Sequence, residues 1–336
     1  MGDAVTNPSE KLLRFDQYME RCLYHPETGF YSVAVGRAGR RGGDFITSAE
    51  VGPLFGEVVA AKVKAESEAR GHSPLTVIDV GSGPGMLVTS MRRALSAYEN
   101  VRVVGVDVAP PQDGDPPVVV PYEALMESDW DGALVVANEL LDNLPFRIFE
   151  AAEASQWREV YVDVSDPENP REVLDSAGPA ATLDVSDEEI APGDRVPVVE
   201  RAAHWVTATL ERGVSTIVAF DYGTASTREL AGRGGWLRTY RSHQRSDNPY
   251  HQPGRWDITT DIPFDQLPAP AELVNQAEWL RSWGIDELVA EGRHYWQQHA
   301  ATPTVAALKM RSRISEADAL TDLAGLGGWQ AATWRA

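Results

Sequence analysis

Three glycines, Gly81, Gly83 and Gly85, follow an apolar run (75–80) that carries one acid, Asp79. Glycines at the end of a strand let a ligand lie against the main chain where side chains would block it. Free N–H groups at the start of the following helix face the same space. A second acid, Asp107, stands 22 residues after Gly85 and closes the next apolar run. An acid at that spacing accepts hydrogen bonds from ribose hydroxyls, so the pair predicts a nucleoside ligand. The loop reads G-x-G-x-G, not the G-x-G-x-x-G of dinucleotide sites, and Pro84 removes an N–H that a pyrophosphate would need. Asp79 adds negative charge beside it. A cationic, phosphate-free nucleoside suits that setting, and S-adenosylmethionine has the chemistry: a sulfonium, an amino-acid tail and a ribose. A dinucleotide site and a purely structural strand-to-helix turn are the competing readings.

Asn138, Glu139 and Asp142 follow a third apolar run, 132–138. Glu139 and Asp142 are three apart, so one helical turn would put both carboxylates on one face, before Pro145 stops it. Methyl transfer from a sulfonium asks the protein mainly for position and electrostatics. A carboxylate can orient a nitrogen or oxygen nucleophile and take its proton. A guanidinium acceptor needs this most, with its pKa above ~12 and a planar donor fork that matches a carboxylate. Turn capping is the alternative for both acids.

These residues need a sheet to hold them. Apolar runs at 75–81, 101–108, 132–138 and 215–223, with a weaker one at 118–120, alternate with helical patterns such as 86–97. Continuous apolar strands of this kind belong to a parallel sheet covered on both faces. Helical spacing also marks 9–23, a helix from Ser48 to Arg70, and C-terminal helices at 271–297 and 315–326, before a strand at 329–334. Residues 146–164 read as a β-hairpin, and 224–270 read as irregular. The expected organisation is an N-terminal helical and loop segment (1–71) closing over the site, and a core of 72–145 with 215–224. An inserted hairpin, acidic loop and helix (146–214), an Arg- and Trp-rich helical insertion (225–300) and a C-terminal return to the sheet (301–336) complete it.

The 336 residues carry a net charge of −20, and 43% are hydrophobic. That composition supports a buried core and excludes global disorder. It argues against a surface made for nucleic acid or anionic membranes, both of which are bound by Lys and Arg. The charge is uneven: 153–195 holds twelve acids against three arginines, which reads as a solvated face. The segment 233–255 holds Arg233, Arg238, Arg241, Arg245 and Arg255, with His243 and His251, against Asp247 alone. It could dock an acidic partner or pair with the chain's own acids. Cys22 is the only cysteine, so no intrachain disulfide and no Cys-based zinc site are expected, and no metal is called for. The N-terminus lacks a signal-peptide pattern and no run of ~18 apolar residues occurs, so a cytoplasmic location is the expectation. Tyr24, Phe30 and Tyr31 could line a substrate channel or pack on the core. Trp236, Trp256, Trp279 and Trp283 read as packing residues.

Several segments together carry a resemblance: YHPETGFYS (24–32), GRRGGDFITSAEVGPLFGE (39–57), VIDVGSGPGML (77–87), VVANELLDNLPFRIF (135–149), LRTYRSHQRSDNPYHQPGRWDIT (237–259), NQAEWLRSWGI (275–285) and AALKM (306–310). The chain resembles the MidA-like S-adenosylmethionine-dependent methyltransferase family, which includes the mitochondrial complex I assembly factor 7, over about residues 11–310. The glycine loop is generic to methyltransferases, while GGDFITSAEVGPLFGE and ANELLDNLP are far more specific. The resemblance implies an α/β, class I methyltransferase (Rossmann-like) fold, with a mostly parallel sheet, helices on both faces, and inserted hairpin and helical substrate elements. It implies S-adenosylmethionine as cofactor, S-adenosylhomocysteine as product, and a protein substrate, with arginine as the acceptor of the mitochondrial member. Carried over by position, Gly81, Gly83, Gly85 and Asp107 would hold the cofactor, with Asp79, Ser82 and Asn138 beside them. Asn138, Glu139 and Asp142 would sit at the reaction centre. Gly43, Asp44, Phe45, Thr47 and Ser48 would form a wall over it. Asp221 and Tyr222, ending the run at 215–220 on the same sheet edge, could border the substrate, or Gly223 could only shape the turn. A small-molecule O- or N-methyltransferase and a non-catalytic assembly partner with the same fold stay open, as does the oligomeric state, a homodimer included.

Overall fold

The computed structural model describes residues 11–32, 47–108, 119–121, 125–152, 156–175, 190–241 and 244–336. Gly43, Asp44, Phe45 and His243 lie outside them, as does 176–189 of the acidic stretch. The chain divides into two compact units. A hairpin unit comprises Met1–Arg37, Leu141–Thr207 and Gly223–Ala269; a sheet unit comprises Ala38–Leu140, Ala208–Tyr222 and Pro270–Ala336.

The sheet unit is built on seven strands: β1 (Leu75–Val80), β2 (Val101–Asp107), β3 (Val119–Pro121), β4 (Leu134–Asn138), β5 (Thr216–Asp221), β6 (Glu272–Asn275) and β7 (Gln330–Arg335). Their order is β6-β7-β5-β4-β1-β2-β3. β1 to β5 run parallel to one another, and β7 is antiparallel to both β5 and β6. β1 lies between β2 and β4, so the strand order reverses there, and a ligand crevice opens beyond the carboxyl ends at such a switch point. The apolar runs form strands because helices cover them. Leu54, Phe55, Val59 and Val63 pack with Leu87, Val88, Met91, Trp279 and Leu320 against Val77, Val136 and Phe220.

Two sequence expectations change in this unit. The helix expected from Ser48 to Arg70 is broken into Ser48–Val51 and Pro53–Ala69, with Gly52 between them. Proline excludes the preceding residue from the helical region while suiting the first turn of a new helix. The segment expected to be helical from 271 instead opens with β6, because Asn275 Oδ1 accepts from the N–H of Glu278 at 2.8 Å and starts a helix only at Gln276–Ser282. Helix Ile285–His299 follows. The last helix runs over Val305–Thr321, longer and earlier than its sequence pattern suggests, with Thr304 as its N-cap.

The hairpin unit contains the expected pair, Arg147–Ala151 against Trp157–Asp163, antiparallel. Arg195–Val198 pairs with the first of these, and both Leu12–Arg14 and Arg171–Leu174 pair with the second. Leu12 and Leu13 are therefore strand, and the N-terminal helix is only Phe15–Tyr24. Phe149, Ala151, Trp157, Val196 and Val198 make the core of this sheet. The stretch read as irregular also holds a sheet, with Leu237–Arg241 paired to Gln244–Ser246 and to Asp257–Thr260. Its strands are polar (LRTYR, QRS, DITT), so no apolar run announces them. Among the described residues no helix is long and apolar enough to cross a membrane.

Candidate active site

The glycine loop sits at the switch point of the sheet unit. Gly81, Gly83 and Gly85 have φ of 73°, 51° and 79°. L-residues with a Cβ rarely adopt this left-handed region, so the three glycines are required by the turn as well as by close approach. The N–H groups of Gly81 and Ser82 donate to the carbonyl of Val106 at 2.9 and 3.1 Å, tying the loop to β2. The Gly83 N–H donates to Asp107 Oδ2 at 2.7 Å. Gly105, unremarked in the sequence, belongs to the same construction. A Cβ there would come within 2.7 Å of Ser82 Oγ and 2.8 Å of Val88.

Asp79 is buried, and burial, with the negative charge of Asp107 second, pushes its carboxyl well above the ordinary carboxylate range. Its Oδ2, Ser82 Oγ and Asn138 Oδ1 are buried and make no hydrogen bond among the described residues. Buried polar atoms are costly without partners. A carboxylate, a hydroxyl and an amide oxygen around a glycine loop fit a cofactor with a cationic amino-acid portion and hydroxyl groups.

Glu139 follows β4 with φ 55°, a left-handed conformation for a residue with a Cβ. Such strain costs on the order of 1–3 kcal/mol and clusters at functional sites. Its N–H donates to the carbonyl of Phe220 at 2.8 Å, and its side chain is held from three directions. Oε1 accepts from the Ser48 N–H at 3.3 Å and from Asn138 Nδ2 at 3.1 Å, and Oε2 accepts from the Tyr222 hydroxyl at 3.1 Å. Thr47 and Ser48 are buried at the start of their short helix, where the Thr47 N–H donates to Glu50 Oε2 at 2.9 Å. Asp221, fully buried, accepts from the Tyr222 N–H at 3.0 Å. The sheet unit thus brings together Asn138, Glu139, Ser48 and Tyr222 at one carboxylate, and Gly83 and Asp107 at the loop.

The expected common face for Glu139 and Asp142 does not form. The helical turn covers only Leu141–Asn143, and the left-handed backbone of Glu139 lies outside it. Asp142 takes a partner in the hairpin unit, where its Oδ2 accepts from Thr259 Oγ1. A network surrounds it that joins Tyr24 and Tyr31, singled out in the sequence, to Asn143 and Asp257, which were not. Asn143 Nδ2 donates to Asp257 Oδ1 at 3.0 Å, the Tyr31 hydroxyl donates to the same oxygen at 2.9 Å, and the Tyr24 hydroxyl donates to the Asn143 carbonyl at 3.0 Å. Burial pushes the Asp257 carboxyl up to about 7, with the charge of Asp142 the second cause. Burial also raises the Tyr31 hydroxyl far above its usual value. Tyr24 and Tyr31 stack at 5.6 Å and Phe30 is buried beside them.

Arginines of the 233–255 segment pair within the hairpin unit: Arg233 and Arg238 both reach Asp261, at 2.7 and 2.5 Å, and Arg241 donates to Gln252 Oε1 at 2.7 Å. Pairing with the chain's own acids describes Arg233 and Arg238, while the partner of Arg241 is a neutral amide. Among the described residues no three His, Cys, Asp or Glu side chains converge as a metal site.

A doubly wound sheet reversing at β1, a glycine loop there and an acid at the tip of β2 define an S-adenosylmethionine-dependent methyltransferase with an α/β fold. Residues 54–282 match the family described as "Putative S-adenosyl-L-methionine-dependent methyltransferase", and the chain belongs to that family. It is similar to "Protein arginine methyltransferase NDUFAF7, mitochondrial" of Danio rerio, 28% identical over 80% of this chain and 72% of the relative. The human protein of that name is 27% identical over 80% of this chain and 69% of the relative. A solved structure from Burkholderia thailandensis, bound to S-adenosyl-homocysteine, shares the fold with a TM-score of 0.79 and 24% identity, over 98% of this chain and 89% of that one. The relatives overturn the cytoplasmic expectation, since they are named as mitochondrial proteins. The sequence patterns behind that expectation, a signal peptide and a long apolar run, do not speak to other addresses.

Proposed function

We propose that the chain methylates an arginine side chain of a protein. The observation that carries this is the Glu139 carboxylate at the end of β4, strained at its backbone and fixed by donors from Ser48, Asn138 and Tyr222. The activity for which the relatives are named supports the acceptor class. In this reading Gly81, Gly83 and Gly85 let the main chain meet the cofactor, and Asp107 receives the ribose hydroxyls. Asp79, Ser82 and Asn138 offer their buried polar atoms to its amino-acid portion. The bound cofactor supplies a methyl group already activated by a positively charged sulfur.

The residues then have to orient an acceptor and dispose of a proton. An ionised carboxylate only accepts hydrogen bonds, and it matches the planar fork of a guanidinium. Glu139 would receive that fork, align one nitrogen for in-line attack and take the proton this nitrogen loses as its bond to carbon forms. Fixing the geometry beforehand avoids reorganisation at the moment of reaction. Ser48 and Tyr222 hold Glu139, and Thr47 and Asp221 hold the turns that carry them. Asp142 belongs to the buried network with Thr259 and Asp257.

The test is a transfer assay with tritiated S-adenosylmethionine and a whole cell lysate, with the protein then separated from small molecules and acid-hydrolysed. Label in methylarginine is expected. Label confined to small metabolites, or to other amino acids, would overturn the acceptor. Glu139→Gln should lower the rate about 100-fold, within the range for positioned acid–base groups, with S-adenosylhomocysteine binding unchanged.

A further inference from the structure

Three strands of the sheet unit end in one row. Asp221 of β5 pairs with Gln330 of β7, and Gln330 pairs in turn with Asn275 of β6. One step beyond that row stand Tyr222, Trp329 and Gln276. Their contacts continue the row: the Gln276 N–H donates to the Trp329 carbonyl at 2.7 Å, and the Tyr222 ring meets the Trp329 ring edge-on at 4.4 Å. Gln276 is fully buried, and its amide is fixed from both ends. Nε2 donates to the Leu320 carbonyl at 3.2 Å, and Oε1 accepts from Ser48 Oγ at 2.9 Å. Ser48 and Tyr222 each then donate to a different oxygen of Glu139. The contacts close a circuit: Glu139, Ser48, Gln276, Trp329, Tyr222 and back to Glu139.

We propose that Tyr222 and Ser48 are positioning residues that set the Glu139 carboxylate, braced by Trp329 and Gln276 at the end of the sheet. The proposal rests on the reading of Glu139 given above. A glutamate side chain has three rotatable bonds, and a single donor would leave it free to swing. Donors to both oxygens, tied to each other through a buried amide and an edge-on ring contact, remove that freedom. The circuit also explains why the chain tolerates a left-handed backbone at Glu139: the surrounding contacts over-determine it.

Deleting one hydroxyl at a time tests this with little risk to folding. In Tyr222→Phe the ring stays on Trp329 and the donor to Oε2 is lost. In Ser48→Ala the N–H to Oε1 stays but its tie to Gln276 is cut. Carbon-13 NMR of protein labelled at the glutamate δ-carbons, with Glu139→Gln identifying the signal, reads the Glu139 carboxylate directly. Removing a donor to a carboxylate favours its protonated form. Tyr222→Phe is expected to raise the proton affinity of Glu139 three- to tenfold, and Ser48→Ala to raise it by less. Titration curves unchanged in both variants would overturn the proposal. In the transfer assay Tyr222→Phe should slow methylation five- to twentyfold in the wild-type background and have no further effect in Glu139→Gln. An equal loss in both backgrounds would also overturn it. If Glu139→Gln reacts at the wild-type rate, the assigned role of Glu139 fails, while the NMR titration still decides whether the brace acts on its carboxylate.

Discussion

The Gly83 N–H donates to Asp107 Oδ2 at 2.7 Å, so the glycine loop and the acid at the tip of the next strand are joined directly. The bond fixes the height of the loop over β2 and orients the carboxylate proposed to take the ribose. Asp107→Asn should therefore weaken the ligand contact and the loop together. A hydrogen bond to a charged group contributes about 1.5–3 kcal/mol, which corresponds to roughly a tenfold to hundredfold loss of affinity. Isothermal titration with S-adenosylhomocysteine measures it. Affinity unchanged in Asp107→Asn would remove Asp107 from the cofactor site.

Asp257 makes a prediction about pH and stability. Its carboxyl is pushed up to about 7 by burial and by Asp142, against the opposing donors Tyr31 and Asn143. The folded chain thus binds this proton more tightly than the unfolded chain does. Its contribution to stability is then greatest near pH 4, falls as pH rises towards 7 and is level above that. At about 1.4 kcal/mol per pKa unit the fall is a few kcal/mol. Asp257→Asn, which has no proton to lose, should flatten that part of the profile. Urea unfolding of both proteins between pH 4.5 and 8 gives the difference, and parallel profiles would count against it.

Gly52 predicts a steric cost at a helix junction. A Cβ on it would run into the carboxyl group of Glu316. That carboxylate is buried and caps the following helix, accepting from the Leu54 N–H at 3.0 Å and from Ser312 Oγ at 2.6 Å. Gly52→Ala must displace it and expose the helix start, at about 1–3 kcal/mol. Thermal unfolding reads this directly. A Tm equal to the wild type would mean that the carboxylate moves aside without loss.

What could be read from the sequence follows a physical line. The loop of Gly81, Gly83 and Gly85 is legible because strand, turn and helix are contiguous and each leaves a local signal. The parallel strands are legible because burial on both faces makes them continuously apolar. Leu237–Arg241 and Asp257–Thr260 are not, since their residues are largely polar and short edge pairings leave no period to detect. The common face assigned to Glu139 and Asp142 failed because spacing alone assumes helical backbone, and Glu139 is left-handed. Gln276 and Trp329 are invisible for another reason. Their meeting with Tyr222 depends on the register of β5, β6 and β7, strands that lie more than 50 residues apart in the chain. Asp257 and Thr259 fall in the family-like segment 237–259, where nothing distinguishes them from their neighbours.

Asp79 ties cofactor binding to proton release. Its carboxyl is buried, raised well above the ordinary range by burial and by Asp107, and its Oδ2 makes no hydrogen bond among the described residues. A cationic ligand at the loop would stabilise the ionised form, since an opposite charge nearby favours it. The free protein then holds a proton that the complex gives up. Binding should release protons to the buffer over the pH range in which free Asp79 is protonated, and affinity should rise with pH across that range before levelling off. Titrations of S-adenosylmethionine into the protein in buffers of different ionisation enthalpy measure the released proton. Asp79→Asn should abolish the release and bind more weakly at high pH, where the wild type has gained its full charge. Equal proton release in wild type and Asp79→Asn would assign the proton to another group.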